Sequence, residues 1–147
     1  MVEKSLNDPD DLAKACADVM YSNDDASRGL GISIDVIRAG YAQLSMTVRG
    51  DMTNGHKITH GGYVFLLADS AFAFACNSRN QLTVAQHCAI TFLMPGKEGD
   101  VLTAIAEEQH LQGRSGIYDV TVTDQTNQTV AEFRGHSRSI SGQHIPD

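Results

Sequence analysis

The chain has 147 residues, a formal net charge of −7 and three cysteines. This length suits one domain with its own hydrophobic core, and a negative charge without a basic stripe argues against nucleic acid as a partner. No apolar run approaches the roughly 18 residues that span a membrane. Because the first residues, MVEKSLNDPDD, contain no secretory apolar segment, we expect a cytoplasmic protein with reduced cysteines.

The N-terminal part of the chain predicts a helix followed by two strands. Asp8-Pro9 is typical of a helix cap with proline at the first helical position. A one-sided apolar stripe follows, formed by Leu12, Cys16, Val19 and Met20. Residues 31–49 then alternate with period two, which predicts two strands joined by a turn at Ala39-Gly40.

The most apolar part of the chain runs from Gly62 to Cys76. Apolar residues recur there at the spacing of a buried helix face: Val64, Leu67, Ala68, Ala71, Phe72 and Ala75. Asp69 lies in the middle of this segment, where an ionised carboxylate is costly unless it is paired or used. Asp69 is therefore a candidate catalytic acid, and a carboxylate paired with a buried donor is the alternative.

Four further strands are predicted from period-two alternation, at residues 82–93, 101–110, 116–123 and 129–140. The breaks between them contain Pro95-Gly96, Gln112-Gly113 and residues 124–128. One long helix among about six strands predicts an α+β domain whose sheet wraps round that helix.

The segment NGHKITHGGYVFLLADSAFA, residues 54–73, resembles the phenylacetate-degradation (PaaI-type) thioesterases of the hotdog superfamily. The similarity continues through ITFLMPGKEGDVLTA, GRSGIYDVTV and VAEFRGHSR, and covers residues from about 31 to 140. The resemblance implies a single hotdog domain over residues 1–147. In that fold an antiparallel sheet of about six strands wraps round one long central helix, here with a short N-terminal helix in addition.

The resemblance also implies an activity and its residues. The activity is hydrolysis of acyl-CoA thioesters, particularly phenylacetyl-CoA and its ring-hydroxylated relatives, by a homotetramer of paired dimers. Asp69 matches the catalytic acid, as general base or nucleophile. Gly61 and Gly62 match the glycines that open the helix, with the N–H of Gly61 pointing at the thioester carbonyl. Asn54 would hold the water or the thioester, and His60 would fix the loop or bind near the carbonyl.

Substrate contacts outside this segment are also expected. Some relatives place a serine or threonine of the next strand beside the partner subunit's substrate. Here either Gln86 or His87 would take that place, or Asn54 alone would bind the water. Cations for the CoA phosphates are expected among four residues: Lys97, Arg114, Arg134 and Arg138. No metal and no separate cofactor are implied, since coenzyme A is part of the substrate.

Two alternatives come from other functional classes. A hotdog hydratase would use a histidine such as His60, but the loop HKITHGGYV lacks the proline-rich sequence that those enzymes carry before the helix. A non-catalytic acyl-CoA-binding module would need an output element such as a DNA-binding segment. The residues before the first strand are too acidic for that task. We therefore expect a thioesterase whose free sheet edge pairs with a second copy.

Overall fold

The computed structural model describes residues 6–146. Its helices are α1, Pro9–Asn23, α2, Asp25–Gly29, and α3, Gly61–Cys76, with a single 3-10 turn at Gly50–Met52. Its strands are β1, Ser33–Arg38, β2, Tyr41–Thr47, β3, Thr83–Phe92, β4, Val101–Gln112, β5, Ser115–Thr123, and β6, Thr129–Ser139. The last four strands match the predicted bounds to within two residues.

All six strands form one antiparallel sheet in the order β1-β2-β4-β5-β6-β3. Strand β3 follows α3 directly in the chain but pairs with β6, the last strand. The edges of the sheet are therefore β1, which packs against α1, and β3. Within residues 6–146 nothing pairs with the outer side of β3. The sheet wraps round α3, so the expected hotdog architecture is confirmed.

Phe72 is at the centre of the packing between α3 and the sheet. Every residue of the predicted buried face of α3 is buried. The Phe72 ring packs against Tyr118 and Phe133, with ring centroids 5.5 and 5.9 Å apart. It also lies directly over Gly135 of β6, where an added Cβ would lie 2.8 Å from the ring. Only glycine at this position lets the helix approach the sheet so closely.

Three details of the N-terminal part differ from the prediction. Helix α2 was not expected, and it follows α1 after the single residue Asp24, whose side chain caps it. A bulge between Ile34 and Val36 breaks the alternation of β1, so Ile37 is the buried residue of that strand. In α1, Val19 is 39% exposed, because the buried side carries other residues: Ala13, Cys16 and Ala17.

The predicted cap of the first helix is confirmed. The side chain of Asp8 caps α1 by accepting two backbone N–H groups of the first turn. The cysteines are free thiols, with Cys16 buried and the other two half-buried. Within the described part of the chain, no helix has both the length and the apolar character needed to cross a membrane.

We expect Gly135→Ala to destabilise the fold, because the new methyl group would overlap with the Phe72 ring. Overpacking of this kind costs about 1–3 kcal/mol, which urea unfolding can measure. Gly29→Ala is the matched control, since nothing lies within 4 Å of its Cβ position. Adding Phe72→Leu to Gly135→Ala should recover part of the loss. An unchanged unfolding midpoint for Gly135→Ala would contradict the packing argument.

Candidate active site

At the start of α3, one backbone N–H is left without a hydrogen-bond partner among the described residues. His60 caps the helix, and its Nδ1 accepts the N–H of Gly62 at 2.9 Å. The N–H of Gly61, the first helical residue, has no partner within the helix, and no hydrogen bond joins it to another described residue. It lies at the positive end of the helix dipole. This N–H is therefore available to a carbonyl oxygen, whereas that of Gly62 is not.

A cavity of about 500 Å³ opens beside Gly61. Its walls come from the loop before α3, the first turn of α3, the last residue of β3 with the segment that follows it, and one residue of β6. Most of its side chains are apolar: Ile58, Val64, Phe92, Leu93, Met94, Pro95 and Val130. Polar side chains come only from Asn54 and Thr59. The cavity suits an apolar group whose single polar end faces the helix start.

Asn54 adds a second donor at this cavity. The loop turns tightly here, since the N–H of Asn54 donates to the carbonyl of Ile58 at 2.9 Å. Its side-chain Oδ1 accepts the N–H of His56, also at 2.9 Å. The Nδ2 group of Asn54 has no hydrogen-bond partner among residues 6–146. The loop thus fixes the side chain through its oxygen and leaves the amide nitrogen to a ligand.

Asp69 lies apart from this cavity. It follows Gly61 by eight positions, which is about 12 Å along the helix axis at 1.5 Å per residue. Its half-buried carboxylate faces β3, where Oδ1 is 4.0 Å from the Cys88 Sγ. Burial raises the pKa of Asp69, and none of the salt bridges of the described residues includes it. The contacts of this carboxylate among the described residues are thus a weak thiol donor and no cation, which favours a catalytic acid over a carboxylate paired with a buried donor.

One protomer does not bring Asp69 and Gly61 together. An aspartate side chain is too short to cross two turns of helix and reach a carbonyl group held at the Gly61 N–H. Asn54 and Gly61 both line the cavity, and His60 is next to Gly61 in the chain but is not among the lining residues. Within one chain, the Asp69 carboxylate and the Gly61 N–H therefore lie at separate positions on the surface.

Three predicted substrate-binding residues lie on the outer face of the sheet. Gln86 faces a small cleft there, and the His87 ring packs edge-on against His136 with centroids 5.4 Å apart. Arg134 makes two hydrogen bonds to the Asp119 carboxylate, at 2.6 and 2.8 Å. That ion pair lowers the pKa of Asp119. None of the three borders the cavity of its own chain.

The other predicted cations differ in their distance from the cavity. Arg114 lies in the turn between β4 and β5, at the opposite end of the sheet, and its Nε donates to the carbonyl of Ser139 at 3.3 Å. Arg138 is exposed on β6 near the same end. Lys97 is exposed and directly follows Gly96 of the cavity wall. Within residues 6–146 no group of three or more His, Cys, Asp or Glu side chains could hold a metal ion.

Sequence reasoning missed two parts of the cavity. The sequence predicts only a break between strands at Pro95-Gly96, which forms a wall of the cavity. Thr59 carries no signal of its own, because a single threonine in a loop belongs to no chemical motif. Their position in the fold is what indicates a role in the cavity. Both segments lie beside the glycines that open α3 once β3 folds back beside the helix.

Comparison with known proteins identifies the family. A family model described as "Thioesterase superfamily" matches residues 56–131, which contain the helix start and Asp69. The acyl-coenzyme A thioesterase PaaI of Escherichia coli strain K12 is 48% identical over 126 residues, covering 86% of this chain and 90% of that protein. The chain belongs to the PaaI-type thioesterases. The prediction of a thioester hydrolase is confirmed by this membership.

Solved structures show how closely the thioesterase fold is shared. The E. coli PaaI structure, from the phenylacetic acid degradation operon, has a TM-score of 0.90 at 46% identity, covering 91% of this chain and 97% of that one. A Streptococcus mutans protein solved with bound acetyl CoA has a TM-score of 0.74 at 26% identity, covering 76% and 90%. These matches confirm the hotdog fold.

We expect Gly61→Ala to lower the activity of this thioesterase while leaving it folded. The added Cβ would lie 2.9 Å from the Phe92 Cζ. That ring belongs to a 52% exposed residue and can turn aside without disturbing the core. The methyl group and the displaced ring then crowd the N–H, whose loss elsewhere costs about 10²–10³-fold in kcat.

The measurement is kcat/KM for an acyl-CoA together with thermal unfolding. A fall of about tenfold or more is expected, since the donor is crowded rather than removed. Gly55→Ala is the control in the same loop region, because nothing lies within 4 Å of its Cβ position. Full activity of a folded Gly61→Ala enzyme would exclude this N–H from the site.

Proposed function

We propose that this thioesterase hydrolyses phenylacetyl-CoA or ring-hydroxylated phenylacetyl-CoA to the free acid and CoA. The observation that carries the proposal is the unpaired N–H of Gly61 beside an apolar cavity. A fixed donor of this kind stabilises the oxyanion that forms when a thioester carbonyl is attacked. The similarity to E. coli PaaI and to the acetyl-CoA-bound S. mutans protein supports acyl-CoA as the substrate class.

The cavity fits a small aromatic acyl group. A volume of about 500 Å³ exceeds the roughly 150 Å³ that holds a benzene ring, so room remains for the start of the pantetheine arm. The ring would pack against the side chains of Phe92, Met94 and Val130. The thioester carbonyl would lie at the Gly61 N–H, with the Asn54 amide beside it.

Asp69 would supply the attack on the carbonyl carbon. A carboxylate can do this by taking a proton from water or by attacking directly. Burial raises its pKa, and a carboxylate with a raised pKa is the stronger base near neutral pH. The His60 Nδ1 already accepts the N–H of Gly62, which favours a structural role for His60 and disfavours the hydratase alternative.

A second copy of the chain would bring Asp69 to the thioester. The sheet leaves one side of α3 only half covered, along a stripe formed by Phe65, Leu66, Asp69, Ala73 and Cys76. Beside it runs β3, a ten-residue edge strand with exposed Val84 and Phe92. Long apolar edges of this kind are normally covered. We infer a homodimer in which the two β3 strands pair and the two α3 helices lie antiparallel.

A twofold axis at Phe65 accounts for the spacing of the two groups. In an antiparallel pair related by a twofold axis, two residues face each other when the axis passes midway between them. Phe65 is midway between Gly61 and Asp69. Asp69 of each copy would then lie opposite Gly61 of the other, giving two composite sites in one dimer.

The same pairing would give Arg114 a role in binding CoA. Strand β3 is about 30 Å long, and antiparallel pairing brings the cavity end of the other copy's strand towards its Thr83 end. Arg114 lies at that end, since it contacts Ser139, the partner of Thr83 in the sheet. Its guanidinium would then meet the CoA phosphates bound by the other copy. Pairing of two such dimers into a homotetramer, and the cytoplasmic location, stay predictions.

Asp69→Asn should lower kcat by about 10²-fold or more with little change in KM, because the amide keeps the size of the side chain but cannot act as a base. Thiol release would be measured with acetyl-, octanoyl-, phenylacetyl- and 3,4-dihydroxyphenylacetyl-CoA. Asp18→Asn, on the exposed side of α1, is the matched control. If the wild type bound acyl-CoA but released no thiol, the non-catalytic binding module would replace the enzyme.

Mixed dimers test whether the site is shared between copies. Consider a purified heterodimer of one Gly61→Ala chain and one Asp69→Asn chain. If each site combines both copies, one site contains both substitutions and the other contains neither, so one site is intact. The heterodimer should then recover about half of the wild-type activity, although both homodimers are impaired. Two differently tagged, co-expressed chains allow its isolation. A heterodimer no more active than the mean of the two homodimers would place both groups within one chain and overturn the shared site.

A further inference from the structure

The Thr59 hydroxyl has no hydrogen-bond partner inside the protein. Thr59 is 6% exposed, and its Oγ1 is the buried side-chain polar atom without a partner among residues 6–146. Burying a hydroxyl in this way opposes folding, since the bonds it made to water are lost. Such groups are rare in folded proteins and call for an explanation, of which a ligand is one.

The position of Thr59 connects this hydroxyl to the acyl cavity. Its backbone N–H donates to the carbonyl of Gly96 at 2.8 Å, so the loop before α3 is tied to the segment after β3. Both residues line the cavity. Gly96 also makes room for the hydroxyl, because a Cβ there would lie 2.7 Å from Oγ1. Apart from Asn54, no other side chain in the lining can form a hydrogen bond.

We propose that Thr59 is a specificity-determining residue, whose hydroxyl hydrogen-bonds a hydroxyl group carried by the acyl chain or ring of the substrate. This rests on the proposed thioesterase function and goes beyond it, because it selects hydroxylated acyl groups over unsubstituted ones. Rotation about the Cα–Cβ bond of a threonine moves its hydroxyl from one staggered position to another. The hydroxyl can therefore turn from Gly96 towards a ligand in the cavity.

The chemistry of the pocket makes this selection effective. The thioester carbonyl would accept hydrogen bonds from the donors at one side of the cavity, Gly61 and Asn54. Thr59 is then the hydrogen-bonding group that remains for the rest of the acyl moiety. In an otherwise apolar cavity, a substrate hydroxyl without a partner would lose its bonds to water and gain nothing. Thr59 supplies that partner, and the substrate in turn satisfies the orphaned hydroxyl.

The experiment compares Thr59→Val with the wild type on matched substrates. Valine keeps the shape of threonine and removes only the hydroxyl. The ratio of kcat/KM for 3- or 4-hydroxyphenylacetyl-CoA to that for phenylacetyl-CoA should fall about tenfold, the value of one hydrogen bond. Thr59→Ser keeps a hydroxyl and should retain the preference. Thr103→Val, on β4 away from the cavity, is the control for a threonine-to-valine change.

Thermal unfolding gives an independent readout. Because Thr59→Val removes an unsatisfied polar group, its melting temperature should equal or exceed that of the wild type. A folded Thr59→Val enzyme with an unchanged substrate ratio would overturn the proposal. Should that variant not fold, Thr59→Ala measures the same ratio. If the wild type were inactive on both thioesters, or no more active than Asp69→Asn, the proposed function would be overturned. The role of Thr59 would then fall with it.

Discussion

The rigidity of α3 is the constraint on which the rest of the structure depends. A helix fixes the distance between its residues, so Gly61 and Asp69 stay about 12 Å apart whatever the surrounding loops do. Packing of Phe72 on Gly135 then holds this helix against the sheet at a close and defined depth. The backbone donor is thereby set at the cavity, and the acid is set at the half-covered side of the helix beside β3.

The elements with strong hydrophobic periodicity could be predicted from the sequence. Helix α3 and the last four strands alternate or repeat over long enough segments for the type and bounds of each element to be predicted. The errors fall where a local feature changes the period. The bulge between Ile34 and Val36 moves burial to Ile37, and Val19 lost its place to smaller residues that let α1 approach the core. Neither effect can be recognised from the amino-acid composition of the surrounding segment.

The site was predictable only where its residues are close in the chain. Asn54, His60 and Gly61 belong to one short segment, and the structure places Asn54 and Gly61 at the same cavity. Contacts between strands depend on register, which the sequence does not state. The ion pair of Arg134 with Asp119 joins β6 to β5. Thr59 meets Gly96 only because the segment after β3 folds back beside the start of α3.

The pairing of β3 with β6 has a consequence for how the protein is made. Strand β3 leaves the ribosome well before its neighbour, since residues 129–139 are the last strand to be translated. At about 5–20 residues per second, the nascent chain carries an unpaired β3 for a few seconds. Val130, one wall of the cavity, arrives with that last strand. A chain truncated before β6 would hold Asn54, Gly61 and Asp69 and still lack one wall of the cavity.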